Sequence, residues 1–136
     1  MKVQRASHGS NPAFTLLEMT IVILVLLALI RIGFVSTKKM TDWRLGRTAS
    51  ETLRSVYAAQ RMYLADNPTV PVSSLTSALI LPYMPNNVTV MPTVTSLSAT
   101  SLSIIVTVSP PIINSGNGVA YDPSGSTTDS LWDVGK

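Results

Sequence analysis

The stretch that most restricts this chain is AFTLLEMTIVILVLLALIRIGF, residues Ala13 to Phe34. It is an almost unbroken apolar run, and a run of this length has few places to go in water. From Phe14 to Ile30 it covers about 17 residues, or ~25 Å as a helix. That falls a little short of a hydrocarbon core of about 30 Å. Ile32, Phe34 and Val35 extend it, with Arg31 able to snorkel toward an interface. One residue does not fit a plain span. Glu18 sits near the start of the apolar run, where an ionisable group is costly and marks a functional position.

The charges are unevenly placed along the 136 residues. Lys2 and Arg5 precede the run. From Phe14 to Asp66 seven cations and four acids give +3, and from Asn67 onward three acids and Lys136 give −2. The chain therefore reads as a basic rod followed by a weakly acidic head. Basic balance can signal nucleic acid or anionic lipid. Beside an apolar segment, proximity to a membrane is the simpler account. The polar, cationic residues 1–12 look like the leading region of an export signal. No small-x-small cleavage site follows the run; Gly33 and Ser36 are three apart and Lys38 and Lys39 come next.

Helical periodicity continues past the span. Leu45, Ala49, Leu53, Val56, Gln60 and Tyr63 or Leu64 recur at three- and four-residue steps. No proline occurs between Phe14 and Asn67, and Asp66-Asn67-Pro68 predicts the stop, because a residue before proline avoids the helical region. One helix of roughly 75–80 Å follows from that, with Gly33 and Gly46 as soft points. Arg47, Arg54 and Arg61 lie seven apart, with Arg44 and Glu51 on the same face. This is a solvated face first, and a docking stripe for acidic groups of a neighbouring copy second.

After Pro68 the pattern changes. Ser73 or Ser74 is expected to cap a short helix ending near Leu81. Val88, Val90 and Val94 alternate with Thr89, Thr93 and Thr95, and Leu102, Ile104, Val106 and Val108 alternate with Ser101, Ser103 and Thr107. This period of two predicts strands with one buried side, Pro92 marking an edge or bulge. Asn114 to Gly118 is a turn signal. Val119–Tyr121 and Leu131–Val134 are candidates for two more short strands. The amphipathic half of the long helix would cover the sheet, giving an α+β fold.

No catalytic constellation is present, so the chain is not expected to be an enzyme. There is no cysteine, His8 is the single histidine, and no nucleophile elbow, phosphate loop or zinc-protease helix occurs. Asp122, Asp129 and Asp133 could offer oxygens to calcium, but their spacing is not that of an EF-hand loop, and turn-forming acids are the preferred reading. Trp43 reads as an interface anchor and Trp132 as a core or sheet residue. The arginine stripe lacks an aromatic platform, so nucleic acid is not expected as a partner.

The segment Ala13-Phe14-Thr-Leu-Leu-Glu18 with its apolar continuation resembles the class III signal of type IV pilins and type II secretion pseudopilins. The resemblance covers about 22 residues. It implies cleavage by a prepilin peptidase between Ala13 and Phe14, N-methylation at Phe14, and an assembly role for Glu18 as fifth residue of the mature chain. Four parts are then expected: a leader, 1–13; a transmembrane and filament-core helix, 14–35; its amphipathic continuation, 36–66; and a small β-rich head, 67–136. The family would place the chain in a bacterial inner membrane as a single-pass protein, head outside the cytoplasm. From there it would enter a pilus or pseudopilus with other pilin-like subunits, through an inner-membrane assembly platform. No cofactor is implied beyond calcium at the three aspartates. The sequence departs from the pattern in three ways. Ala13 stands where the family usually has Gly, Val35 where many major pilins have a kinking Pro, and the absent cysteines exclude a C-terminal disulfide loop. Without the resemblance, the same residues would read as a plain single-pass anchor carrying a binding head.

Overall fold

The computed structural model describes residues 15–135. Ala13 and Phe14, the two expected processing positions, and the leader lie outside them. Helix α1 runs Leu16–Asp66. It ends where the sequence places its stop: Asn67 keeps one last i→i−4 bond, N–H to the Tyr63 carbonyl at 2.9 Å, and its side-chain Nδ2 donates to the same carbonyl at 3.0 Å. Two compact units divide between Lys38 and Lys39. In the first, every described residue is exposed.

In the second unit the helix has one buried face. Gly46, Ala49, Ser50, Leu53, Val56, Ala59 and Gln60 are its buried residues, the three- and four-residue spacing expected of an amphipathic helix. Leu53 and Val56 are fully covered, each contributing about 1.5–3 kcal/mol through burial. Against this face pack Leu75, Ile80, Met84, Val94, Ile104, Val106, Ile113 and Trp132.

The segment after Pro68 forms single turns rather than the one short helix expected. A 3-10 turn at Val72–Ser74 precedes α2 (Ser77–Ile80), and further 3-10 turns follow at Leu81–Tyr83 and Pro85–Asn87. The N-cap of α2 is Thr76, not Ser73 or Ser74, and its hydroxyl makes no capping bond. Tyr83 closes the turns onto α1. Its hydroxyl donates to Asp66 Oδ2 at 2.9 Å and its ring meets Tyr63 edge-on at 5.7 Å.

The β structure is real but shorter than the alternation predicts. Two two-stranded antiparallel sheets form. One pairs β1 (Val94–Thr95) with β2 (Ser101–Leu102), and the other pairs β3 (Ile104–Ile105) with β4 (Ile112–Ile113). The fold is broadly α+β. Val88–Val90 are in no strand, and Val90 is well exposed at 73%. Val106–Val108 have no strand partner either. Their carbonyls are taken by a side chain instead: Gln60 Nε2 donates to Val106 O and Val108 O, both at 2.9 Å. The Asn114–Gly118 turn is as read from sequence, with Asn114 Oδ1 accepting from the Gly116 and Gly118 amides. Beyond it Val119–Tyr121 supplies only an isolated bridge, Ala120 to Asn114.

Leu131–Val134 is not a strand. It is a strap held to α1 by two anchors. The Trp132 amide donates to the Gly46 carbonyl at 3.1 Å. Arg54 donates through Nε to Val134 O at 2.8 Å and through Nη2 to Ser130 Oγ at 2.9 Å. A glycine at 46 makes the first anchor possible, because a Cβ there would lie 2.7 Å from Trp132 Nε1. Trp132 is thereby a core residue, its ring edge-on to Tyr121 at 5.3 Å.

Candidate functional site

The start of α1 is built as a capped, uncovered apolar helix. Thr15 lies just before the first helical residue, and its Oγ1 accepts the Glu18 amide at 3.2 Å. Thr15-x-x-Glu18 has the composition of a capping box, a signal present in the sequence that the apolar run obscured. Glu18 is the acid of the first turn. A carboxylate there stands at the positive end of the helix dipole, where acidic residues are favoured. This is a second physical reason for an acid at 18, independent of any partner subunit.

Past Glu18 the side chains offer almost nothing but hydrocarbon. Leu24 is 65% exposed and Phe34 75%, and the most apolar window has none of its residues buried. The helix is long and apolar enough to cross a membrane. The hydroxyls in the run are handled as an apolar surrounding demands: Thr20 Oγ1 donates to the Leu17 carbonyl at 2.7 Å and Thr37 Oγ1 to the Gly33 carbonyl at 2.7 Å. In hydrocarbon a hydroxyl without a partner costs free energy, and i−3 or i−4 carbonyls supply one inside the helix. Gly33 has open space where a Cβ would stand, so no close approach within the chain requires it.

The arginine stripe on the second part of α1 is mostly engaged within the chain. Arg54 holds the strap, Arg47 Nε lies 3.7 Å from Glu51 Oε1, and the Arg61 guanidinium sits 5.7 Å from the centre of the Tyr57 ring. The Arg47–Glu51 pair is exposed and contributes at most about 0.5 kcal/mol.

The three aspartates are not brought together as one set. Asp122 Oδ1 accepts from the Ser124 amide at 3.0 Å and its hydroxyl at 2.6 Å, and Asp129 Oδ1 accepts from the Leu131 amide at 3.0 Å. These are the short acid-to-backbone bonds that make Asp a turn former. Among the described residues no three His, Cys, Asp or Glu converge as a metal-binding group. Asp122 and Asp133 do line one cavity of about 320 Å³ with Pro111, Ile113, Trp132 and Val134; Asp129 is outside it. Asp133 as a whole is half-buried, yet its Oδ1 is cut off from solvent and has no hydrogen-bond partner. Burial pushes the Asp133 carboxyl above the usual carboxylate range, and the negative Asp122 and Asp129 push the same way. The Gly135 amide and Arg54 oppose that rise. Tyr83 is likewise raised, first by the hydrogen bond it donates to Asp66.

No family model matches the chain, and neither a curated protein nor a solved structure matches it.

Proposed function

We propose that the chain is a pilin-like structural subunit, made as a precursor, anchored through residues 14–35 and then assembled into a filament through the same helix. The observation that supports this most is the contrast within α1. Its second part is buried against a small α+β head, while Leu16 to Val35 is exposed apolar surface carrying one acid. Such a surface needs lipid or other helices around it. Glu18 then takes its role from cleavage. A cut between Ala13 and Phe14 would give Phe14 a cationic amine four residues ahead of Glu18. In a stack of parallel helices that amine pairs with Glu18 of an adjacent copy, favouring one axial step. Before the cut, no amine stands at that position.

Two measurements test the reading. Mass spectrometry of the chain expressed with a prepilin peptidase is expected to find N-methyl-Phe14; an intact Met1 would favour a plain anchored protein. Glu18→Ala and Glu18→Gln are expected to leave membrane insertion unchanged and abolish filament incorporation. Normal incorporation of both variants would sink the pairing.

A further inference from the structure

Where the second unit begins, α1 carries a cationic and aromatic arc. At about 100° per residue, Lys39, Trp43, Arg47, Met40 and Arg44 fall within an arc of roughly 140° on one side of the helix. Of the residues buried against the head, Ala49, Leu53, Val56, Ala59 and Gln60 lie outside this arc, whereas Gly46 borders it and Ser50, one turn further on, falls at its edge beside Lys39. Met40 is 55% exposed, Trp43 52%, and Lys39 and Arg44 are exposed. Asp42, the acid within this stretch, falls outside the arc and is half-buried. Glu51 meets Arg47 one turn on. No ion pair within the described residues engages Lys39 or Arg44. The arc follows directly on the apolar segment in sequence.

We infer that Lys39, Arg44 and Arg47, with Trp43 and Met40, form a docking surface for the headgroups of anionic phospholipids where the helix leaves the bilayer. This deepens the anchoring reading and rests on it. Two observations favour this occupant. The charge is complementary to phosphate and begins about one turn past the span's end at Val35, reaching a little over three turns beyond it at Arg47. Trp43 is an aromatic of the kind that settles at headgroup depth, and Met40 beside it adds apolar surface. The placement runs against the usual bias. More Lys and Arg follow the span than precede it, so in the proposed orientation they cross to the side where cations are disfavoured. A leaflet rich in anionic lipid offsets that bias, because each Lys or Arg near a negative surface gains attraction.

The test uses the full chain reconstituted into vesicles of phosphatidylcholine mixed with phosphatidylglycerol, with one or the other lipid brominated on its tails to quench nearby tryptophan. Trp132 is buried, and subtracting the Trp43→Phe signal isolates Trp43. Brominated phosphatidylglycerol is expected to quench Trp43 more than brominated phosphatidylcholine, by a factor of about three. The preference should vanish in K39Q/R44Q/R47Q and in high salt. The variant K39R/R44K/R47K should keep it. Equal quenching by the two lipids while the chain floats with the vesicles overturns the docking surface and leaves the anchor standing. A preference that follows protein density rather than headgroup overturns it in favour of a second copy. A chain that does not float with either vesicle rejects the anchor itself, and the docking surface with it.

Discussion

Gly46→Ala separates two effects that usually point the same way. In a solvent-facing helix interior the change stabilises by about 0.5–1 kcal/mol, because glycine loses more backbone freedom on folding. Here the new methyl would stand 2.7 Å from Trp132 Nε1 and 3.2 Å from two further ring atoms. No atom there is the free end of a flexible side chain; the ring is buried and braced by Tyr121. Making room moves the strap, which costs about 1–3 kcal/mol as overpacking. It also stretches the Trp132 amide bond to the Gly46 carbonyl, a contribution of about 1 kcal/mol. The balance is a net loss of about 1–3 kcal/mol, or a fall in head Tm of very roughly 5–15 °C for a domain of this size. The assay is thermal unfolding of the full chain in detergent, followed by near-ultraviolet circular dichroism. A second arm repeats Gly46→Ala in a Trp132→Phe background, where the smaller ring leaves space and the penalty should shrink. An unchanged or higher Tm for Gly46→Ala alone would refute the contact. An identical penalty in both backgrounds would refute Trp132 as its source.

Gln60→Leu keeps the volume of the buried side chain but leaves the Val106 and Val108 carbonyls without their donor. A loss of about 2–4 kcal/mol is expected, with hydrogen exchange rising first around residues 104–108 and only later in α1. A uniform change across the head would count against Gln60 as the local clasp. Asp133 gives a pH signature. Its carboxyl holds a proton more tightly folded than unfolded, so stability falls as pH rises from the ordinary carboxylate range through the raised value and stays lower above it. Asp133→Asn should therefore melt higher than the parent near neutral pH and converge with it in acid; a gap that widens toward acid would contradict this.

The long helix was legible because its evidence is local and repeated. A proline-free stretch, a three- and four-residue apolar step and an Asp-Asn-Pro stop each follow from neighbouring residues, and the buried set Ala49, Leu53, Val56, Gln60 matches the step. The head was legible only in outline. Alternation at Val88 to Val94 records which side chains could be covered, not whether a partner strand exists, and Val90 has none. Residues 106–108 look like strand for the same reason, yet their partner is a glutamine on the helix. The strap was least visible, since the match of Gly46 to Trp132 joins residues far apart in the chain and leaves no period to read. At the apolar end, the cost of an acid in an apolar run marks Glu18 as a functional position and hides its local setting. Thr15 three residues ahead gives it a helix-capping context that two letters would have revealed.

The strap also sets when the head can be finished. Gly46 is made early and Trp132 late, so whatever pairs them must wait for nearly all of the described chain to emerge. Until then Leu53, Val56 and Ile113 face an unclosed core, while the apolar start of α1 can already have entered a bilayer. In an anchored subunit of the kind proposed, membrane entry and head closure would be separated in time by the order of synthesis, and local contacts within α1 have the head start over a long-range one. A chain interrupted before Trp132 would be tethered by its helix yet carry an open, protease-sensitive head. The core therefore closes on a contact that joins two residues far apart in the described chain, and it closes only once Trp132 is present.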